Sequence, residues 1–180
     1  EIDSLLIKIF KKVMSSIDKF DQEKSKQLKT LSNSYDSQNK ERNFFCWELF
    51  FAEVFYIKKG FDIIIAIPPY EVLDSKDFKD EISRLKKFDV FETAIEGQLN
   101  YFKLFLAKSL TLLNEEGTSA FIFQNSFLGD KTCTKIRKFV IDKNNLLSLV
   151  SFPERDDANK RVFKSAKMSV CIARISKKTP

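Results

Sequence analysis

The 180-residue chain contains no histidine, and it has only four glycines, four prolines and three cysteines. Without histidine, this chain can form neither a Ser-His-Asp triad nor a Cys-His pair, and it has no imidazole to bind zinc. The shortage of glycine and proline excludes collagen-like and proline-rich architectures. Apolar residues nevertheless make up 43% of the chain and charged residues 31%, which is the composition of a globular domain.

Charge, cysteine spacing and hydropathy narrow the class of protein further. Lys and Arg number 31 against 25 Asp and Glu, and the net charge of +6 is compatible with a phosphate-rich partner or simply with a solvated surface. Cys46, Cys133 and Cys171 form no C-x-x-C pair, which predicts reduced, packed thiols in a cytoplasmic protein. The longest apolar run, residues 61–70, includes Asp62 and two prolines and is too short to cross a bilayer, so we expect no membrane contact.

The chain changes composition near residue 43, which predicts two regions. Residues 1–43 are expected to form a helical and polar N-terminal segment, because apolar residues recur at helical spacing over residues 3–20. Residues 44–180 are expected to form one α/β domain. Its first part, residues 44–55, is crowded with aromatic side chains and is predicted to be a short extended piece at the edge of the core.

Four apolar stretches predict the strands of one sheet. They are residues 61–67, 118–124, 146–152 and 169–175. Helices are predicted at residues 98–113, ended by Gly117 as a C-terminal cap, at residues 131–143, and in a short piece within residues 71–87. This alternation indicates a mostly parallel sheet that ends in an antiparallel strand pair.

Several blocks, in order along the chain, resemble the methylase part of type II restriction–modification enzymes, the adenine-specific DNA methyltransferases of the N-P-P-Y class. Residues 61–70 read F-D-I-I-I-A-I-P-P-Y and resemble the family's F-D block that ends in G-N-P-P-Y. Further blocks resemble the family's pattern at residues 47–55, 101–117, 121–128 and 162–172. The resemblance covers about residues 44–177, and several matching blocks are far more specific than P-P-Y alone.

The resemblance implies the fold and the chemistry. The fold would be the C-terminal half of a Rossmann-like S-adenosylmethionine-dependent methyltransferase, preceded by a helical segment and forming a partial catalytic domain. The reaction would transfer a methyl group to the exocyclic amino group of an adenine flipped out of DNA. Pro68 and Pro69 would stiffen the loop, while Tyr70 and Phe163 would stack on the two faces of the base.

Two departures from the family pattern bear on activity. Ile67 stands where the family has Asn, whose side-chain oxygen accepts a hydrogen from the adenine amine, and isoleucine has no acceptor. Losing one such polar group typically costs on the order of 10²–10³ in rate. The family's glycine-rich methyl-donor loop has no counterpart either, and we expect it upstream of Glu1, with the DNA-reading domain after Pro180. Although S-adenosylmethionine is the family's cofactor, this chain alone is expected to bind none.

Basic residues beside Phe163 are candidates for DNA contact. The loop carries five of them: Arg155, Lys160, Arg161, Lys164 and Lys167. They could bind phosphates. Asn125 could contact a base edge or the DNA backbone, or it could merely cap the end of a strand, and we favour the cap. The basic residues of the helix at 131–143 are interpreted as a solvated face.

Three functions remain open from the sequence. The chain could be a methyltransferase fragment that is inactive alone, a non-catalytic DNA-binding or assembly module on a degenerate scaffold, or part of a split enzyme completed by another chain. The natural presence of Ile67 would favour the second. The strand at residues 61–67 is expected at the sheet edge, since its second neighbour would come from the missing cofactor half. Unless the helix at residues 3–20 covers it, self-association or marginal stability should follow.

Overall fold

The computed structural model describes residues 45, 47–73, 76 and 78–178. The chain divides into two units, Glu1–Cys46 and Trp47–Pro180, and the description below concerns the second. The helix expected at residues 3–20 and the environment of Cys46 lie outside the described residues. Within the described ranges, no helix has the length and apolar character needed to span a membrane.

Four of the six strands in the described part of the chain form the main sheet. The strands are β1 (Phe61–Ala66), β2 (Val72–Leu73), β3 (Leu99–Asn100), β4 (Leu113–Gln124), β5 (Asn144–Phe152) and β6 (Val170–Lys177). The main sheet has the order β1-β4-β6-β5, and β2 pairs with β3 in a small antiparallel ladder. β1 is parallel to β4, while β6 is antiparallel to both of its neighbours. The carboxyl ends of β1, β4 and β5 therefore share one edge, and the predicted mixed sheet is confirmed.

Six helices accompany the strands in the described part of the chain. They are α1 (Trp47–Phe50), α2 (Ala52–Lys58), α3 (Lys79–Leu85), α4 (Tyr101–Leu112), α5 (Ser126–Gly129) and α6 (Thr134–Lys143), with 3₁₀ turns at Asp89–Ala94 and Lys131–Cys133. The core forms where α4 and α6 meet the sheet. Phe102 of α4 stacks on Phe123 of β4 with ring centroids 5.5 Å apart, and Ile136 and Val140 of α6 are fully buried.

The prediction of an extended piece over residues 44–55 is wrong for the residues that are described, because α1 and α2 occupy them. Trp47, Phe51 and Phe55 are spaced four residues apart, so they lie on one face of consecutive helical turns. All three rings contact Phe61 at the start of β1, with centroid distances of 5.8, 5.2 and 5.3 Å. The aromatic crowding is therefore a helical contact surface.

The assignment of Gly117 as a helix cap is also wrong. Helix α4 ends at Leu112, and Gly117 lies within β4. A Cβ atom at position 117 would come within 2.8 Å of the Phe61 carbonyl oxygen, so glycine is needed for close backbone approach to β1. The regular β1–β4 register starts only at Ile63 opposite Thr118, after a bulge, which matches the predicted strand at residues 118–124.

Both predicted helices begin later than expected. Residues Leu99–Asn100 pair with Val72–Leu73, so α4 starts at Tyr101 instead of at residue 98. The Lys131–Cys133 turn precedes α6, and the Asp130 side chain accepts the Thr132 backbone N–H at 2.8 Å. Local pairing and capping therefore shortened both elements.

Strand β1 lies at the edge of the sheet, as predicted, because its one partner among the described strands is β4. Ile63 and Ile65 are 68% and 79% exposed, whereas Ile64 and Ala66 pack against the core. The face of β1 that bears Ile63 and Ile65 is thus uncovered within the described part of the chain. Cys133 and Cys171 are buried free thiols, which confirms the prediction for these two cysteines.

Candidate functional site

The Pro-Pro-Tyr block lies where β1 ends, at the edge that the carboxyl ends of three strands share. Pro68 is buried and Tyr70 is half-buried. The Tyr70 hydroxyl donates a hydrogen bond to the carbonyl oxygen of Ile122, near the end of β4, at 3.0 Å. Ile67, by contrast, is 60% exposed. The fold therefore anchors Tyr70 to the sheet and leaves the side chain at the motif's Asn position open to solvent.

Phe163 meets Tyr70 from the long loop between β5 and β6. The two ring centroids are 6.5 Å apart, and the rings are tilted by 59°. A flat base stacked between two parallel rings needs two contact layers, about 7 Å in total. The separation of Tyr70 and Phe163 is thus close to that of a base slot, and the tilt must decrease before both rings can stack on a base. The structure brings together the two aromatic residues that the family resemblance assigns to one base.

The Tyr70 phenol and the neighbouring Cys171 thiol are both uncharged at neutral pH. Burial raises the pKa of the Tyr70 phenol, and the neighbouring Cys171 thiol acts in the same direction. Burial also raises the pKa of Cys171 to about 12, so its thiol stays protonated at neutral pH. A thiolate nucleophile at Cys171 is therefore excluded, and the slot offers stacking surfaces and neutral dipoles.

Asn125 follows β4 and ties together the ends of two other strands. Its backbone N–H donates to the Ser169 carbonyl at 3.1 Å, and its side-chain oxygen accepts the Ser151 hydroxyl at 2.9 Å. Asn125 precedes α5, but its side chain makes no capping hydrogen bond to that helix. The residue holds both ends of the loop that carries Phe163. Its direct contact with DNA stays a prediction.

Aspartates within the basic loop partly neutralise its positive charge. Ion pairs join Arg155 to Asp156 at 3.7 Å and Lys167 to the same carboxylate at 3.0 Å, and Lys160 to Asp157 at 3.5 Å. Lys167 holds the pKa of the Asp156 carboxyl below its usual value. These pairs are exposed, so each contributes little to stability and can exchange for a phosphate.

Arg161 and Lys164 differ in what their side chains do. The Arg161 guanidinium donates to the carbonyl oxygens of Lys164 and Arg155 and so closes the loop on itself. Lys164 is exposed, and within the described residues its ammonium forms no ion pair. Of the five basic residues in this loop, Lys164 is therefore the one whose charged group has no ion-pair or hydrogen-bond partner among the described residues.

Sequence reasoning missed Lys103. It lies on α4 and is fully buried, and its ammonium donates to the carbonyl oxygens of Glu96, Gln98 and Thr132 at 2.8, 2.6 and 2.9 Å. The signal was present in the sequence, because α4 is apolar on almost every side and such a helix is buried. A lysine within it needs internal partners.

Comparison with known proteins places this geometry in a family. Residues 1–158 match the sequence profile of the Eco57I restriction-modification methylase family. The chain belongs to that family. A Methanocaldococcus jannaschii protein assigned as a type II restriction enzyme and methyltransferase is 31% identical over 138 residues, which cover 76% of this chain and 10% of that protein. The type II methyltransferase M.HincII of Haemophilus influenzae is 28% identical over 123 residues, which cover 65% of this chain and 22% of that enzyme. This chain therefore spans about a tenth to a fifth of the length of these relatives.

A solved structure confirms the fold. A Listeria monocytogenes protein assigned as a class I S-adenosylmethionine-dependent methyltransferase superposes with a TM-score of 0.51 and 18% identity, over 67% of this chain and 32% of that one. The chain thus has the α/β fold of S-adenosylmethionine-dependent methyltransferases.

The described residues do not fit the family's cofactor by themselves. A methyl-donor loop needs adjacent glycines that let the backbone approach the ligand. Here an added Cβ atom would collide with the chain itself at three of the four glycines, at 2.6 Å for Gly60, 2.7 Å for Gly97 and 2.8 Å for Gly117. These three glycines serve internal packing. We therefore derive no chemical step through a cofactor bound to this chain.

Proposed function

We propose that this chain forms the target-base half of a DNA methyltransferase from a restriction–modification system, and that the base is adenine. The single observation that carries the proposal is the Tyr70–Phe163 pair, with centroids 6.5 Å apart at the carboxyl edge of the sheet. Base flipping requires a slot with aromatic walls outside the duplex. The family membership supports methyl transfer, and the P-P-Y block supports adenine as its acceptor.

In this proposal each residue of the block has a separate task. Tyr70 supplies one stacking wall, and the hydrogen bond from its hydroxyl to the Ile122 carbonyl oxygen fixes the position of the ring relative to β4. Phe163 supplies the other wall, and Pro68 offers a backbone carbonyl to one hydrogen of the adenine amine. Ile67 cannot accept the second hydrogen, because its side chain is a hydrocarbon. The chain would therefore bind the base better than it activates the amine.

DNA and S-adenosylmethionine are the proposed partners of the whole protein. Lys164 and the exposed basic side chains near it would contact phosphates next to the flipped nucleotide. S-adenosylmethionine would be held by a part of the methyltransferase fold that the described residues do not supply. On this proposal the isolated chain is inactive, since it offers a base slot without a methyl donor.

Ile67 favours a second candidate, a DNA-binding or assembly module that has kept the methyltransferase scaffold without the reaction. Its 60% exposed side chain places a branched apolar group where the family has an amide. A site selected for methyl transfer gains nothing from that group. A site selected only for stacking or assembly can tolerate it.

One experiment separates the two candidates. The full-length protein containing this chain is incubated with labelled S-adenosylmethionine and duplex DNA, and the products are digested and resolved as nucleosides. Formation of N6-methyladenine that falls at least about fivefold in the Tyr70→Ala protein supports the proposal. Methylation of cytosine would overturn the adenine assignment. Specific DNA binding without any methyl transfer would support the non-catalytic module.

A further inference from the structure

Lys103 is a buried cation whose bonding capacity is completely used. Its side chain is 0% exposed, and an ammonium has three N–H donors. Each donor has a separate backbone carbonyl, those of Glu96, Gln98 and Thr132, at 2.6–2.9 Å. No ion pair of Lys103 with a carboxylate occurs among the described residues. The charge is thus compensated by peptide dipoles, and it holds together backbone from two separate segments.

Two further contacts restrain the turn whose carbonyl groups accept hydrogen bonds from Lys103. Gly97 has φ +60°, and a Cβ atom there would lie 2.7 Å from the Thr132 methyl group. The Glu96 carboxylate accepts the backbone N–H of Lys135, in the first turn of α6, at 2.7 Å. The segment from Glu96 to Gln98, here called the Lys103 turn, is therefore wedged between α4 and the start of α6.

The Lys103 turn leads directly to the target-base block. It is followed at once by β3, whose Leu99 and Asn100 pair with Leu73 and Val72 of β2. The Tyr101 backbone N–H donates to the Glu71 carbonyl at 3.1 Å, one residue beyond Tyr70. An unbroken series of backbone hydrogen bonds thus connects the Lys103 turn to the residue that follows Tyr70.

We propose that Lys103 is a positioning residue, which fixes the Lys103 turn and, through β3 and β2, holds the ring of Tyr70 at the angle from which it stacks on a base. This inference rests on the proposed function, in which Tyr70 forms one wall of the base slot. Lys103 itself touches neither the slot nor a reacting atom. Its effect is to restrict the backbone on the carboxyl side of Tyr70, while Pro68 and Pro69 restrict the amino side.

Titration of Lys103 gives this role a signature that ordinary packing lacks. Burial lowers the pKa of the Lys103 ammonium, and Cys133, Asp130 and Glu96 act against that shift. A neutral amine has two N–H donors, so deprotonation releases one of the three carbonyls. The positioning should therefore be complete below the folded-state pKa of Lys103 and weaken as the pH rises through it. An arginine at this position would not titrate in that range.

The first measurement is hydrogen exchange in the full-length protein containing this chain. Lys103→Met keeps the length of the side chain and removes its donors, and Lys108→Met on the same helix is the matched control. We expect exchange at the ladder amides of Leu73, Leu99 and Tyr101 to become at least tenfold faster in Lys103→Met. Exchange in β4 and in the control should stay unchanged. Unchanged exchange at those three amides would overturn the inference, whether or not the protein methylates DNA.

The second measurement reads out the position of the base. DNA with 2-aminopurine at the target adenine should show a smaller stacking signal with Lys103→Met, and kcat should fall at least tenfold. The affinity for DNA should change less than twofold, because phosphate contacts are untouched. An equal loss of DNA affinity and kcat would indicate general unfolding and contradict positioning.

A third measurement covers the case in which Lys103→Met does not fold. The pH profile of kcat is compared between the native protein and Lys103→Arg, and the alkaline decline of kcat should disappear in the arginine variant. An identical decline in both would overturn the inference. If the native protein has no methyltransferase activity at all, the proposed function fails, and hydrogen exchange in Lys103→Arg decides the inference separately.

Discussion

The ring centroids of Tyr70 and Phe163 lie 6.5 Å apart and the rings are tilted by 59°, although one residue follows β1 and the other lies in the loop between β5 and β6.

Tyr70→Ala removes one wall of the slot. Base stacking is worth about 1–3 kcal/mol, so DNA methylation by the full-length protein should fall about 5- to 150-fold. Tyr70→Phe keeps the ring and loses the bond to Ile122, so the fall should be less than about tenfold. Initial rates with labelled methyl donor measure both. Tyr56→Ala, at an 80% exposed tyrosine, should leave the rate unchanged.

The isolated 180-residue chain should bind no S-adenosylmethionine. Gly60, Gly97 and Gly117 are each held against neighbouring atoms of the chain, so none is available to form a donor loop. Calorimetric titration of the chain with S-adenosylmethionine is the test. Saturable binding at one site with micromolar affinity would contradict the prediction, and the full-length protein serves as the positive control.

Ile67→Asn should not restore methyl transfer in the isolated chain, because an acceptor for the adenine amine is useless without a donor site. In the full-length protein the same change should raise the rate, by about 10²–10³ if the amide regains its place on the amine. Ile67→Val is the matched control, since it alters volume without adding an acceptor. Methylation by the isolated Ile67→Asn chain, or equal rates of the Asn and Val proteins at full length, would contradict this prediction.

The loop between β5 and β6 should give weak DNA binding without sequence preference. Replacing Arg155, Lys160, Arg161 and Lys164 together by Ala should weaken binding to all duplexes about equally. The slope of log affinity against log salt should fall by up to about one unit per lost phosphate contact. Lys164→Ala alone should account for more of this loss than Lys160→Ala, because Lys160 already pairs with Asp157.

Fluorescence anisotropy across a salt series checks both statements. In a matched control variant, four lysines on another surface are replaced by Ala: Lys131, Lys135, Lys138 and Lys143. This variant should change the slope of log affinity against log salt less. Strong preference of the native chain for one duplex sequence would contradict the prediction.

The edge strand β1 should cause self-association of the isolated chain. Ile63 and Ile65 are 68% and 79% exposed beside a strand edge that lacks a partner among the described strands, and such edges pair with other chains. Ile65→Lys should reduce the sedimentation coefficient to that of a monomer. Ile141→Lys, at a 60% exposed isoleucine on α6, should not. A native chain that is monomeric at all concentrations would refute this prediction.

The sequence predicted the parts of the fold that depend on local patterns. The apolar run through Ile63, Ile64 and Ile65 identified a strand that ends at the two prolines, and β1 ends at Ala66, just before them. Spacing could not reveal that Lys103 has three carbonyl partners, because Glu96, Gln98 and Thr132 converge only after folding. Spacing could not reveal the partners of the basic loop residues either, since the internal hydrogen bonds of Arg161 and the ion pair of Lys160 depend on the shape of the loop.

The aromatic crowding over residues 47–55 shows a different kind of failure. Phenylalanine and tryptophan are common in strands, and that preference led to the extended assignment. The spacing of Trp47, Phe51 and Phe55 was the better guide, because it places three rings on one helix face toward Phe61.

The position of β6 between β4 and β5 also sets the order in which the sheet can be completed during synthesis. Strand β5 leaves the ribosome before β6, yet its ladder partner in the sheet is β6. Until Lys177 has emerged, β4 has one open edge and β5 has no ladder, so the loop that carries Phe163 cannot close. The base slot therefore cannot assemble before β6 joins the sheet, and a nascent chain stalled before residue 170 would display exposed strand edges to chaperones and neighbouring chains.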